Sequence, residues 1–178
     1  MILPVSCNID LDFDKAKVWS IISKPENLNL THPFCKSNIS LSWVNGNHRD
    51  SLEYLNGVKL YRDFYKWDEG NGYELKIGKK NGRESIVKWK LIDKANSRSN
   101  LTITVLPNIY SNKNKIIYLI AYFFVIKPGI SKYLKSVLNG YKWYLVNQSP
   151  VPRNHFGSHK WFSWIIMASD SYAFFYLN

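Results

Sequence analysis

The fold of this chain is decided by one stretch near its C-terminal end, ISKYLKSVLNGYKWYLVNQ, residues 130–148. Its apolar side chains recur at intervals of three and four residues, which predicts an amphipathic helix with one face against a core. Gly140 lies inside this helix, where glycine costs about 1 kcal/mol relative to alanine, so it indicates a close approach or a ligand wall. The apolar face is made of Ile130, Leu134, Val137, Tyr141 and Leu145.

The N-terminal part of the chain begins with a strand and continues into short helices. Apolar and polar residues alternate from Val5 to Leu11, which predicts a half-buried strand. A first short helix is predicted over residues 15–23, capped by Asp12 or Asp14. A second is predicted over residues 25–30, because proline is favoured in the first turn of a helix.

The middle of the chain predicts an antiparallel meander. Its segments alternate with period two and are separated by short turns rather than by helical crossovers, so the fold class is α+β. The strands are marked by Ile39 and Trp43, Leu52 and Tyr54, Tyr73 and Ile77, Val87 and Leu91, and Leu101 and Val105. The turns are marked by Asn45-Gly46, Asn56-Gly57 and Lys80-Asn81-Gly82.

One strand of this meander, residues 58–67, has no clear apolar face. Alternation places Tyr61, Tyr65 and Trp67 on one side and Arg62 on the other. Because both faces carry charged and aromatic residues, the sequence leaves open which of them turns inward.

A second apolar segment, residues 116–126, precedes the long helix. At about 1.5 Å per residue it spans roughly 16 Å, about half of a ~30 Å bilayer core, so it is not predicted to cross a membrane. Lys113, Lys115 and Lys127 bracket it, and Pro128-Gly129 predicts a break before the long helix.

This segment has two interpretations. It packs as core against the sheet edge or the aromatic-rich tail, residues 164–178, or it rests on an anionic membrane surface together with that tail. The tail contributes Trp164, Ile165, Ile166, Phe174 and Phe175.

Composition limits the class of protein. A chain of 178 residues fits one domain, and 46% hydrophobic with 21% charged residues excludes wholesale disorder. Two cysteines cannot form a disulfide framework, and the first residues have no basic or long apolar segment typical of a signal peptide. We therefore expect a cytoplasmic protein, with the membrane periphery as the alternative.

The net charge of +11 raises the question of an anionic partner. Of the 24 basic residues 19 are lysine, spread along the chain, and no basic cluster or base-stacking motif is present. A solvated basic surface is therefore favoured over a membrane surface, and no nucleic-acid partner is expected.

Several stretches, in their order along the chain, resemble the START and pollen-allergen superfamily, often called SRPBCC. The resemblance extends over residues 3–163, and the order of its motifs is more specific than any motif alone. The tail beyond Ser163 has no counterpart in it. The stretches are VWSIISKPENL at 18–28, HP at 32–33, LEYLNG at 52–57 with Arg62, YLKSVLNG at 133–140, and NHFGSHKWFS at 154–163, the last similar to an uncharacterised bacterial branch.

This resemblance implies a helix-grip fold, in which a curved antiparallel sheet of about seven strands wraps around a long C-terminal helix, with two short helices after the first strand. It implies one domain over residues 1–163 and an apolar cavity between sheet and helix. Members of the superfamily bind lipids, polyketides, hormones or other hydrophobic molecules, and some are cyclases, dehydratases or oxygenases.

Candidate ligand-contacting residues follow from the expected cavity. Aromatic side chains either line it or fill it, and Arg62 either anchors a ligand anion or pairs with Asp50, Glu53 or Glu84. The candidates are Tyr54, Tyr61, Arg62, Tyr65, Trp67, Tyr73, Trp89, Val137, Gly140 and Tyr141.

Catalytic and metal candidates are few. His32 is a weak candidate for a general base, since a histidine in a loop is more often solvated. His155 and His159 are spaced as two ligands on one helix face, but Gly157 between them disfavours a helix, and no third ligand lies near. A facial triad for iron is absent from the sequence pattern, so neither a metal nor another cofactor is expected.

These observations predict a protein that binds or carries a hydrophobic small molecule, such as a lipid, isoprenoid or polyketide, without catalysis. An enzyme of the cyclase or dehydratase kind and a protein that associates with a membrane surface are the alternatives. A cyclase needs at least two polar groups that converge in the cavity, whereas a carrier needs mainly apolar walls.

Overall fold

The computed structural model describes residues 2–44, 46–108 and 114–162. Asn45 of the predicted Asn45-Gly46 turn, Lys113 and the tail at residues 164–178 lie outside the described residues. The division into a domain over residues 1–163 and a tail therefore stays a prediction.

Within the described ranges, seven strands form one curved antiparallel sheet in the order β1-β7-β6-β5-β4-β3-β2. The strands from β2 to β7 are consecutive neighbours, and β1 pairs with β7, as expected for a meander whose first strand returns to its last. The predicted α+β helix-grip fold is confirmed. The strands are β1 (Val5–Leu11), β2 (Cys35–Val44), β3 (Asn47–Tyr54), β4 (Lys59–Asp68), β5 (Gly72–Gly78), β6 (Glu84–Lys94) and β7 (Arg98–Leu106).

The inner face of β4 is the face of Arg62 and Phe64, both of which are buried. A β-bulge between Phe64 and Lys66 shifts the register by one residue. Trp67 therefore pairs with Tyr73 on the inner face, although alternation places it with Tyr65. The bulge explains why this strand has no continuous apolar face in the sequence.

Two short helices connect β1 to β2. Helix α1 (Lys15–Ile22) is capped by Asp14, whose Oδ1 accepts a hydrogen bond of 2.7 Å from the Lys17 N–H. Helix α2 (Leu28–Thr31) begins three residues after Pro25. The prediction of a helix from Pro25 is wrong, because Glu26 has a left-handed φ of 60° that a right-handed helix cannot contain.

The long helix is continuous over Lys115–Asn147 and contains 33 residues. It comprises α3 (Lys115–Ala121), a π-helical turn (Tyr122–Ile126) and α4 (Lys127–Asn147). The predicted break at Pro128-Gly129 is wrong: proline has no N–H to donate and its ring crowds the carbonyl one turn earlier, and the wider π turn before Pro128 accommodates both effects. By length and composition alone, this helix is apolar enough to cross a membrane.

Gly140 lies where α4 crosses the end of α2. A Cβ at this position would lie 2.0 Å from the carbonyl oxygen of Thr31 and 3.1 Å from Cδ of Pro33. Of the two reasons predicted for this glycine, the close approach is the one that the structure shows. Gly140 contacts the α2 backbone, and its place among the ligand-contacting candidates stays a prediction.

Candidate functional site

Aromatic side chains occupy the space between the sheet and α4. Trp67 stacks on Tyr73 at 5.3 Å between ring centroids, Tyr73 lies 5.5 Å from Trp89, and Trp89 lies 5.3 Å from Tyr141 of α4. These rings form a continuous band from β4 to the helix. The structure therefore brings together six of the predicted candidates on the inner face, namely Tyr54, Trp67, Tyr73, Trp89, Val137 and Tyr141.

Two predicted candidates lie on the outer face instead. Tyr65 is 48% exposed, and its hydroxyl donates to Glu74 Oε2 at 2.9 Å. Tyr61 pairs across the strands with Ser51 and Gly78, on the face opposite to Arg62. Neither contacts the interior, because the inward positions before the bulge belong to the even-numbered residues of β4.

A hydrogen-bonded chain of three polar groups, on buried His32 and Tyr54 and half-buried Tyr133, interrupts this apolar interior. His32 ends α2, Tyr54 ends β3 and Tyr133 lies on α4. The Tyr133 hydroxyl is 2.9 Å from Nε2 of His32 and 2.9 Å from the hydroxyl of Tyr54. Three separate elements therefore place their polar atoms at one point.

The protons of this chain can be assigned. The backbone N–H of Phe34 donates to Nδ1 of His32 at 3.2 Å, so the neutral imidazole carries its proton on Nε2 and donates it to Tyr133. Three protons, on His32, Tyr133 and Tyr54, then serve two hydrogen bonds. One phenolic O–H is left without an acceptor among the described residues, which makes it available to a bound molecule.

Burial suppresses ionisation at all three groups. It lowers the pKa of His32 to about 3, with the nearby positive charge of Arg62 acting in the same direction. It raises the pKa of Tyr54 to about 12 and the pKa of Tyr133 well above the ordinary value of 10. The trio is therefore neutral near pH 7.

Arg62 has a protein partner. Its Nε donates to Asp50 Oδ1 at 2.7 Å and its Nη2 donates to Asp50 Oδ2, in a bidentate pair with both side chains buried. Burial by itself lowers the pKa of Arg62, but the Asp50 carboxylate more than offsets this, so the guanidinium stays charged. Of the three predicted carboxylates, Asp50 is therefore the one that pairs with Arg62. Its carboxylate lies where an anionic group of a ligand was the alternative.

The C-terminal segment, residues 159–162, covers the tyrosine pair. Phe162 stacks on Tyr54 at 4.4 Å and lies 4.6 Å from Tyr133. Asn56 holds the segment from the β3–β4 turn by donating to the Trp161 carbonyl at 2.9 Å. Trp161 in turn packs on Gly129, where a Cβ would lie 2.0 Å from the indole ring. The covering segment is therefore fixed at both sides of the trio.

The two C-terminal histidines do not form a pair of ligands. His159 is buried with Nε2 3.1 Å from the Gly129 carbonyl, whereas His155 is exposed and packs on Trp143 at 4.1 Å between centroids. The chain is not helical between them, so the two rings do not share a helix face. In the described ranges, no three His, Cys, Asp or Glu side chains are grouped as a metal site would require.

A separate surface groove of about 580 Å³ lies at the start of α1. Its floor is Trp19, whose Nε1 donates to Glu69 Oε1 at 2.6 Å, while Trp67 Nε1 donates to Glu69 Oε2 at 2.8 Å. The groove is open to solvent, unlike the interior, and most of its accessible lining is apolar. It is lined by Asp14, Lys15, Ala16, Trp19, Glu69, Gly70 and Asp93.

Sequence reasoning missed Tyr133 and Phe162 as site residues. Tyr133 precedes Leu134 on the helix, and its hydroxyl becomes significant only when β3 and the end of α2 pack beside it. Phe162 has no periodic pattern around it. The partners of both residues are distant in sequence, and no local signal identifies such contacts.

No protein-family model and no curated protein sequence matches the chain. Solved structures match its fold. A START superfamily protein from Mycobacterium smegmatis superposes with a TM-score of 0.65 at 11% identity, over 82% of this chain and 99% of the other. A protein from Arthrobacter aurescens has a TM-score of 0.61 at 16% identity, over 89% and 94%.

A third similar structure is DynU16, a protein in the dynemicin biosynthetic locus. It has a TM-score of 0.58 at 13% identity and covers 83% of this chain but only 48% of its own. At these identities the likeness concerns the fold alone. The chain therefore has a START/SRPBCC-like fold, as its sequence motifs predict.

Proposed function

We propose that the chain binds a hydrophobic small molecule between the sheet and α4, and that the molecule carries an oxygen acceptor. The observation behind this proposal is the unused phenolic proton of the Tyr54–Tyr133 pair inside an aromatic interior. An apolar ligand gains from the aromatic walls, whereas its orientation requires a directed polar contact. Lipids, isoprenoids and polyketides with a carbonyl or ether oxygen have this chemistry.

The arrangement favours binding over catalysis. Three polar groups converge, as a cyclase requires, but efficient proton transfer needs groups whose pKa lies near the working pH. The pKa of His32 is lowered to about 3 and that of Tyr54 is raised to about 12. A role for His32 as general base is therefore not part of the proposal.

Access to the trio lies under Phe162 in this proposal. The ring covers both tyrosines, and it belongs to a segment attached by the Asn56 amide and by Trp161 on Gly129. Displacing one aromatic side chain requires less rearrangement than separating α4 from the sheet. We expect Phe162→Ala to raise the association rate of a ligand more than it changes the final affinity.

The test uses fluorene and fluorenone, two rigid probes that differ by one carbonyl. Binding is followed by tryptophan fluorescence of the full chain. We expect Tyr54→Phe combined with Tyr133→Phe to weaken fluorenone binding by about fivefold, the value of one neutral hydrogen bond, and to leave fluorene binding unchanged. Both hydroxyls are removed because Tyr54→Phe alone leaves the Tyr133 proton free. Tyr65→Phe is the matched control, since this hydroxyl lies on the outer face.

The outcomes separate the proposal from its alternatives. Failure of both probes to bind would contradict an interior ligand site. Equal weakening of both probes in the Tyr54→Phe, Tyr133→Phe variant would show a packing effect rather than a polar contact. Native mass spectrometry of protein purified from its own host then identifies the compound that co-purifies.

A further inference from the structure

The long helix has two parts that we name by their packing. The gripped half, residues 127–147, lies against the sheet, and the leading half, residues 115–126, extends beyond it. Among the described residues, the hydrogen bonds that attach the leading half to the rest of the chain come from one side of the helix. The Tyr118 hydroxyl accepts from the Leu3 N–H at 2.8 Å, and the Tyr122 hydroxyl donates to the Pro4 carbonyl at 2.7 Å.

The opposite side of the leading half is apolar and exposed. Phe124 is 78% exposed and Ile120, one helical turn earlier, is 57% exposed. Large apolar side chains that face water do not stabilise the fold by burial. A contiguous patch of them is typical of an interaction surface. This exposed face consists of Ile116, Ile117, Ile120, Phe123 and Phe124, with Val125 at its border.

The positive charge of the chain is concentrated in its C-terminal part, which includes this helix. No Asp or Glu occurs between Asp93 and Asp170, a stretch that contains ten Lys and Arg residues. Residues 1–93, in contrast, contain fourteen basic and twelve acidic residues and are nearly balanced. The net charge of +11 therefore belongs mainly to the C-terminal part of the chain.

Basic residues also lie at the exposed face itself. Lys115 begins the helix, and the Lys127 amine lies 5.9 Å from the ring centroid of Phe123. Long lysine side chains that flank an apolar helix face keep their charge in water while their stems cover apolar surface. The arrangement is typical of helices that lie in the interface of an anionic membrane.

We propose that the exposed face of the leading half docks on an anionic lipid bilayer, with the helix parallel to the membrane plane. Charge decides between the candidate occupants of this face. A second copy would bring a basic surface against an equally basic one, whereas anionic headgroups neutralise it. The gripped half stays packed against the sheet, so in this proposal the helix does not cross the membrane.

The experiment measures co-sedimentation of the full chain with vesicles of phosphatidylglycerol and phosphatidylcholine, and with vesicles of phosphatidylcholine alone. We expect binding to the anionic vesicles that is at least tenfold tighter than to the neutral ones. Raising the salt from about 0.1 M to about 0.5 M should weaken it severalfold, because screening shortens the range of the lysine charges.

The matched variants separate this face from general hydrophobicity. Ile120→Gln with Phe124→Gln should weaken anionic binding at least tenfold. Ile39→Thr with Leu41→Thr, on the outer face of edge strand β2, removes exposed apolar surface elsewhere and should bind like the wild type. Circular dichroism and the melting temperature verify that each variant is folded.

A second readout does not depend on those variants folding. Both native cysteines are buried, so an environment-sensitive dye can be attached at Phe124→Cys, with Leu41→Cys as the control. We expect a blue shift at position 124 alone when anionic vesicles are added.

Three results would overturn the proposal. The first is a wild type that ignores anionic vesicles. The second is a dye at position 124 that is already shielded without vesicles, which would show that residues 163–178 or another part of the chain cover the face. The third is a dimer that the Ile120→Gln, Phe124→Gln variant dissociates.

Discussion

The gripped and leading halves of one continuous helix differ in how far their apolar side chains are buried. The gripped half buries its apolar stripe against the sheet and α2 and exposes its lysines. The leading half buries Tyr118, Tyr122 and Ile126, and it exposes most of its other large apolar side chains. The buried stripe of the gripped half is Ile130, Leu134, Val137, Leu138, Tyr141 and Leu145.

Apolar content alone therefore does not identify a core helix. Both halves have apolar residues at helical intervals, but only the gripped half places them where strands and α2 cover them. An apolar side chain contributes to stability in proportion to the surface it removes from water. The gripped half should therefore govern stability, and the leading half should govern interaction.

The largest expected effect comes from truncating the same kind of side chain in each half. Leu134→Ala removes a side chain that is 1% exposed, and we expect it to lower the free energy of unfolding by about 2–5 kcal/mol. Ile120→Ala removes an exposed one and should change it by less than about 0.5 kcal/mol. Urea unfolding measures both. Similar losses in the two variants would show that the leading half is core.

Acid should act on the gripped half through His32. The pKa of this histidine is about 3 in the folded chain and about 6.5 when unfolded, so the unfolded state binds a proton first as pH falls. The contribution is fully present above pH 6.5 and is lost toward pH 3, at about 1.4 kcal/mol per pH unit. From pH 6.5 to pH 4.5 this group alone should remove about 3 kcal/mol.

The control for this prediction is His32→Gln. Its free energy of unfolding should fall less steeply between pH 6.5 and pH 4.5, because the unfolded variant has no His32 to bind a proton. Some slope should remain, because the pKa of buried His159 is also lowered and acts with the same sign. Identical slopes in the two proteins would mean that His32 becomes protonated in the folded state. The dye at position 124 should report no change over this range.

Gly140→Ala should destabilise the gripped half by a smaller amount. The new Cβ would lie 2.0 Å from the Thr31 carbonyl, so α2 must move. Overpacking of this kind costs about 1–3 kcal/mol, which exceeds the gain of about 1 kcal/mol in helix propensity. Asn139→Ala, exposed on the same turn, reports the propensity effect alone and should be neutral or stabilising. A Gly140→Ala variant as stable as the wild type would contradict the close contact.

Local sequence patterns predict most of the sheet and fail where contacts override them. Alternation locates most of the strands because one face of each lies in the interior. In β2, however, the alternating Ile39 and Leu41 are exposed. Alternation misplaces Trp67, because a bulge after Phe64 inserts a residue that leaves no mark in composition. The rule that proline breaks helices fails at Pro128, where a π turn accommodates the ring.

The candidate site is less predictable than the fold. The aromatic positions follow from alternation once the inner face is known, as for Tyr73 and Trp89. The hydrogen-bonded trio does not, since His32, Tyr54 and Tyr133 come from three elements far apart in sequence. Their meeting depends on the angle at which α4 crosses the sheet, and a linear pattern does not contain this angle.

Hydrogen–deuterium exchange along the long helix distinguishes a ligand-binding gripped half from a membrane-docking leading half. Exchange is measured with no addition, with fluorenone and with anionic vesicles. We expect the amides of the leading half to exchange faster than those of the gripped half in the free protein, since few buried contacts hold the leading half. Fluorenone should then slow exchange in the gripped half alone, and vesicles should slow it in the leading half alone. Slowing of both halves by the same addition, or of neither by either, would contradict the division of this helix into a ligand-binding part and a membrane-docking part.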